Sequence, residues 1–152
     1  MIYLISACLL GCPCRYDGAS KPIPENIRAL LDTDTLIPVC PECLGGLPTP
    51  RPPAERQGER VINRRGQDVT AEYERGAREV LRLARLYRAD GVILRDRSPS
   101  CGTNGIYDGT FTATLSEGMG VCAALLSREG IRIFDENRND MTLKNKKIGD
   151  RT

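Results

Sequence analysis

The chain has seven cysteines and no histidine, and that pairing sets the terms of any chemistry it performs. Without imidazole, metal ligation and proton transfer fall to Cys, Ser, Asp, Glu, Lys, Arg and Tyr. In a reducing compartment this many thiols suggest metal or redox chemistry before disulfides. Three of them, Cys8, Cys40 and Cys101, each lie at or just beyond the end of a segment that reads as a buried strand. Soft thiolate ligands suit iron–sulfur clusters. Three ligands for four irons leave one iron open to a substrate, as the free position does at a catalytic metal.

Other readings of the same thiols stand beside this one. Free cysteine is among the most buried residue types, and Cys122, inside the apolar run Val121–Leu126, reads as core. Cys40-Pro41-Glu42-Cys43 is a C-x-x-C, the spacing of a thioredoxin-like redox pair. Such a pair needs a helix starting at its first cysteine, and Leu44-Gly45-Gly46-Leu47-Pro48 is hostile to one. Cys12 and Cys14 with Cys40 and Cys43 would make a Cys₄ zinc site holding together an interaction module, although one intervening residue is tight for a zinc knuckle.

Strands must bring these residues together. Ile2–Ala7, Thr35–Val39, Gly91–Leu94 and Ile131–Phe134 are short apolar runs closed by turn residues. Between them fall helical patterns over about 25–32, about 70–88 and 116–129. Thr70 is the expected N-cap of the longest, with Glu72 and Glu74 at its positive end. Residues 40–53 read as a long ordered loop or lid, residues 60–63 as a short strand, and residues 95–105 as polar loop. Alternating strands and helices predict one α/β domain with a mostly parallel sheet and helices on both faces. In such a sheet the strand C-termini open on one edge, where ligands bind. Cys8, Cys40 and Cys101 would converge there.

The bulk numbers exclude several classes. A net charge of +2 gives no electrostatic case for direct nucleic-acid binding. No Trp and 5% aromatics predict an aliphatic core and no stacking platform for bases. No run approaches the roughly 18 apolar residues of a membrane span, and the first residues lack the basic region of a signal peptide. A cytoplasmic protein with no membrane partner is expected. Its oligomeric state is not legible.

Longer motifs recur in order along the chain: Ser6-Ala7-Cys8-Leu9-Leu10-Gly11, Cys14-Arg15-Tyr16-Asp17-Gly18, Val39-Cys40-Pro41-Glu42, Leu44 through Glu55, Ser98-Pro99-Ser100-Cys101-Gly102 and Ile106 through Phe111. With these the chain resembles the domain-of-unknown-function 523 family, whose members include proteins similar to thiouracil desulfidase. The resemblance spans about residues 2–136. It implies a Rossmann-like desulfidase domain over 1–136, and it leaves 137–152 as a charged, loosely ordered tail.

The resemblance also implies a 4Fe–4S cluster held by three cysteines, carried here onto Cys8, Cys40 and Cys101. Cys14 also fits a family motif and competes with Cys40 for a ligand position. Cys43 stands where many relatives carry an aliphatic residue. The implied activity is removal of sulfur from a small thiolated substrate such as a thiouracil-like nucleobase, by C–S hydrolysis without net redox change. Glu42 and Ser98 match the assisting residues, Glu42 as a proton shuttle and Ser98 as a substrate-orienting or relaying hydroxyl. Ser100 is placed to donate to cluster sulfur. Read on residue type alone, Glu42 is a solvated loop carboxylate and Ser98 and Ser100 are loop-capping hydroxyls. Arg51, between prolines, suits a carbonyl, an anion or its own backbone. Arg15, Tyr16, Tyr107 and Asp108 lie in the same motif loops.

Overall fold

A computed structural model describes residues 1–142. Four strands, β1 (Ile2–Ser6), β2 (Thr35–Val39), β5 (Gly91–Ile93) and β8 (Ile133–Phe134), form one sheet in the order β2-β1-β5-β8. All three pairings are parallel. The chain leaves β1 toward β2 on one side and leaves β5 toward β8 on the other, so the topological switch falls between β1 and β5.

Alternation along the strands sends side chains to two cores. Leu4, Val92 and Ile133 pack with α3 (Thr70–Leu86) and α4 (Val121–Arg128) through Ala77, Val80, Ala84, Ala123 and Leu126. Ile5 and Ile93 face the other way, onto Ile27 and Leu30 of α1 (Glu25–Leu30) and Leu9 of a 3-10 turn, Ala7–Leu10. Both faces are therefore covered, which is what a parallel sheet of near-continuous apolar strands requires. Cys122 is fully buried in the first core, as its place in an apolar helix face predicts.

Several elements around the cavity differ from expectation, while the expected strand over residues 60–63 is present. Residues 40–53 do contain a helix, the single turn α2 (Pro41–Leu44), with Cys40 in extended conformation before it. Proline is compatible with a first helical position, because its missing N–H would have no partner there. Residues 54–57 and 60–63 form the hairpin β3 (Ala54–Gln57) and β4 (Arg60–Asn63). The predicted helix 116–129 starts only at Val121. Leu115–Ser116 (β7) pairs instead with Ile106–Tyr107 (β6), and Gly118 and Gly120 separate the ribbon from α4. Thr70 is the first helical residue of α3 and not its cap. Its backbone N–H donates to the Asp68 carboxylate at 3.0 Å.

One glycine fixes the Cys101 loop onto α4. The first amides of α4 donate into that loop, Val121 N to Pro99 O and Cys122 N to Ser100 O, both at 2.9 Å. This satisfies helix-end donors that otherwise have no partner. Gly120 makes the approach possible, since a Cβ there would stand 2.3 Å from the Ser100 carbonyl carbon. At the other end of the described chain, residues 137–139 turn and 140–142 lie along β8, with Met141 buried in the first core and its N–H on Ile133 O. The rest of the predicted tail, 143–152, lies outside the described residues.

Candidate active site

The carboxyl ends of β1, β2 and β5 and the loops that follow enclose a cavity of about 1110 Å³. Cys8, Cys14, Cys40 and Cys101 all line it, with Glu42, Ser98 and Ser100. The convergence predicted from strand ends is thus present, and Cys14 joins it. Cys12 does not line this cavity, and Cys43 is exposed at its outer side. Among the described residues no three Cys, Asp or Glu groups meet in a geometry that would hold a single metal ion. The Cys₄ zinc arrangement is therefore not the one the fold assembles.

The thiols divide by surroundings. Cys14 lies in hydrogen-bond contact with both Cys40 and Cys8, and its own thiol is pushed up by that double contact and by burial. Cys8 is pulled down to about 6, first by the Cys14 thiol and, against burial, by the Arg95 guanidinium. Cys40 is also pulled down to about 6, by Cys14 first and then, again against burial, by the Cys43 backbone N–H and thiol. Cys101 behaves oppositely. Burial pushes it up to about 12, although the Ser6 and Ser100 hydroxyls bond to it. Three acidic or mutually bonded thiols around one space form a donor set that a metal cluster would deprotonate and satisfy.

Opposite them, Glu42 is held by three donors. Arg51 Nε and the Tyr73 hydroxyl reach Oε1 at 3.1 and 2.8 Å, and Ser100 Oγ reaches Oε2 at 2.9 Å. Ser98 Oγ lies 2.9 Å from Ser100 Oγ and accepts the backbone N–H groups of Ser100 and Cys101, each at 3.1 Å. Ser98 therefore does cap its loop, and it also extends the hydroxyl chain that ends on Glu42. Tyr73 is buried on α3, where burial first and the Glu42 charge second hold its phenol protonated. Periodicity marks Tyr73 only as a core position. The available signal is that a buried tyrosine hydroxyl needs a partner. α2 can lie against α3 because Gly76 has no side chain. A Cβ there would fall 1.7 Å from the Pro41 carbonyl oxygen.

Arg51 is spent within the protein. Beyond Glu42 it donates to Pro48 O, Thr49 Oγ1 and Cys14 O at 3.2, 2.9 and 2.7 Å. The far wall comes from the 107–113 loop, where Glu55 of β3 accepts the N–H groups of Gly109 and Phe111 at 3.0 and 3.1 Å. Arg64 lies over the Phe111 ring. Tyr16 and Tyr107 line the cavity, whereas Asp108 caps Thr110 within its own turn.

Fold and site together define a Rossmann-like α/β domain with a thiol-rich pocket at its topological switch point. The chain belongs to the 2-thiouracil desulfurase family, which it matches over residues 3–138, as the motif resemblance implies. It is similar to the uncharacterized protein YbbK of Bacillus subtilis strain 168, at 45% identity over 149 residues, covering 91% of this chain and 98% of that protein. Among solved structures it is similar to the 4Fe–4S-dependent thiouracil desulfidase TudS. The TM-score is 0.84 and the identity 48%, over 89% of this chain and 90% of that one.

Proposed function

We propose that this protein is a 4Fe–4S-dependent desulfidase that hydrolyses the thiocarbonyl of a small thiolated heterocycle of the thiouracil kind. The observation that carries the reading is the meeting of Cys8, Cys40 and Cys101, from three strand ends, with the Glu42–Ser100–Ser98 chain on one cavity. Cys8 senses the charge of Cys40, and Cys101 senses that of Cys8. Cys14 instead acts on both Cys8 and Cys40 as a hydrogen-bond donor, lowering the pKa of each. It serves as a thiol donor beside those two ligands, and Cys101 is the third. Cys8, Cys40 and Cys101 would hold the cluster, which would supply Lewis acidity toward the thiocarbonyl sulfur.

The residues then have defined tasks. Glu42 accepts a proton from the attacking water, through Ser100 or directly, and returns it to the departing sulfur. Tyr73 and Arg51 occupy Oε1, so Oε2 is the oxygen aimed through Ser100 at the cavity. Ser98 keeps the Ser100 hydroxyl oriented. Water replaces sulfur at carbon, C=S plus H₂O giving C=O plus H₂S, with no change of oxidation state and no electron donor.

Anaerobic reconstitution with iron and sulfide tests this. The expected protein is brown, absorbs near 400 nm, and releases sulfide from at least one member of a panel of thiolated bases. Cys8→Ala, Cys40→Ala and Cys101→Ala each lose iron, while Cys14→Ala and Cys122→Ala retain it. Retention in Cys101→Ala together with loss in Cys14→Ala would exchange the third ligand. A colourless protein carrying one zinc would end the proposal. Among the described residues no helix is long and apolar enough to cross a membrane.

A further inference from the structure

We propose that Arg15 binds the oxygen acceptor that the thiolated ring carries besides its reacting C=S group, and so selects thiolated lactams over thiolated rings that lack an oxygen. This rests on the desulfidase reading. Arg15 lines the cavity with Cys8, Cys14 and Cys40, and its side chain is only 17% exposed. Its Nε and Nη1 are buried with no hydrogen-bond partner among the described residues. The carboxylate paired with it, Asp17 Oδ1, stands 3.7 Å from Nε, beyond hydrogen-bonding distance, and is itself 41% exposed.

Of the other four arginines that line the cavity, Arg97 is exposed beside Asp96 and the remaining three have partners. Arg51 is bonded on all three nitrogens, Arg95 faces Cys8 and Glu136, and Arg64 lies over Phe111.

The segment that carries Arg15 is also fixed in advance. Arg51 Nη2 holds the Cys14 carbonyl at 2.7 Å, the Arg51 N–H donates to Tyr16 O at 2.8 Å, and the Gly18 N–H closes a turn onto Arg15 O at 2.9 Å. Burying guanidinium donors without an acceptor is costly, and here the backbone around them is clamped so that they stay in place. A cavity-lining guanidinium whose donors the fold leaves empty, on a clamped backbone, is the wall group that an acceptor on the ligand would satisfy. A site built to hydrogen-bond a substrate group rejects the analogue that lacks it.

The test uses cluster-loaded protein and two substrates, 2-thiouracil and pyrimidine-2-thione, which lacks the exocyclic carbonyl oxygen. Wild type is expected to favour 2-thiouracil in kcat/KM by about tenfold or more, through KM. Arg15→Met, which keeps length and removes the donors, loses that preference, and Arg15→Lys keeps part of it.

A second readout needs no turnover: ligand-observed NMR of uracil against unsubstituted pyrimidine. Uracil is preferred by wild type, and the preference is lost in Arg15→Met while near-400 nm absorbance and circular dichroism are kept. Equal use and equal binding of the paired ligands by wild type overturn the proposal, as does a folded Arg15→Met that keeps the preference. If Arg15→Met does not load its cluster, Arg15→Lys and the wild-type pairs decide. If wild type releases no sulfide from any thiolated base, the desulfidase reading fails, and the uracil comparison alone upholds or overturns the role of Arg15.

Discussion

On the α2 side of the cavity the Arg51 guanidinium meets a carboxylate, two carbonyls and a hydroxyl, and Glu42 in turn meets Arg51, Tyr73 and Ser100. On the β1 side the Arg15 guanidinium holds its buried nitrogens toward no acceptor in the described chain. The two arginines line one cavity and come from neighbouring loops, so burial does not separate them. What differs is whether the fold itself completes their hydrogen bonds. A completed network fixes the position of its members and adds stability. An incomplete one gives up stability and leaves room for a ligand. The α2 side therefore reads as positioning machinery and the β1 side as a binding surface.

A larger contrast, across the cavity as a whole, lies in its thiols. Cys8 and Cys40, pulled down to about 6, are mostly thiolate at pH 7 in the cluster-free, reduced protein. Cys101, pushed up to about 12, remains a thiol until strongly alkaline pH. The ionised fractions at pH 7 then differ by about 10⁵. Iodoacetamide labelling followed by peptide mass analysis should modify Cys8 and Cys40 first and leave Cys101. Equal labelling of all three would erase the division.

Smaller effects separate the two arginines themselves. Arg51→Met leaves Glu42 buried without its cation and should cost about 3–5 kcal/mol in urea unfolding. Gly76→Ala drives a methyl into the Pro41 carbonyl and pushes α2 off α3, at a cost near the upper end of overpacking, about 3 kcal/mol. Its activity should fall further than its stability, because Glu42 rides on α2. Tyr73→Phe removes one bond to a charged group and should cost about 2 kcal/mol. Arg15→Met, by contrast, removes a cation whose donors the fold never satisfied. Stability within about 0.5 kcal/mol of wild type is expected. A loss as large as that of Arg51→Met would show that Arg15 holds the fold together.

Much of the frame is legible in the residues. Ile2–Ser6 and Thr35–Val39 declare themselves as apolar runs closed by turn residues, and the 70–86 helix by its period, because one face of it must be apolar. The cysteines declare themselves by falling just after strands, where a parallel sheet opens. The short elements do not. β6, β7 and α2 have two to four residues each, too few for a period to show, and they exist through tertiary partners: a paired ribbon, and a glycine that admits α2 onto α3. Tyr73 is hidden for a related reason. Its spacing on α3 reports only that it faces inward and says nothing of Glu42, 31 residues earlier, which its hydroxyl meets.

By itself, then, the sequence determined the class of fold, the covering of the sheet on both faces, the family, and the thiols and carboxylate around which chemistry is possible. These are local matters of periodicity, residue type and motif order. Only the tertiary structure decided which buried charges are answered. It paired Arg51 with Glu42 and left Arg15 open, set Cys14 between two other thiols, and sank Cys101 below them. Hydrogen-bond completion is a property of groups distant in the chain and near in space, and no stretch of sequence contains both members.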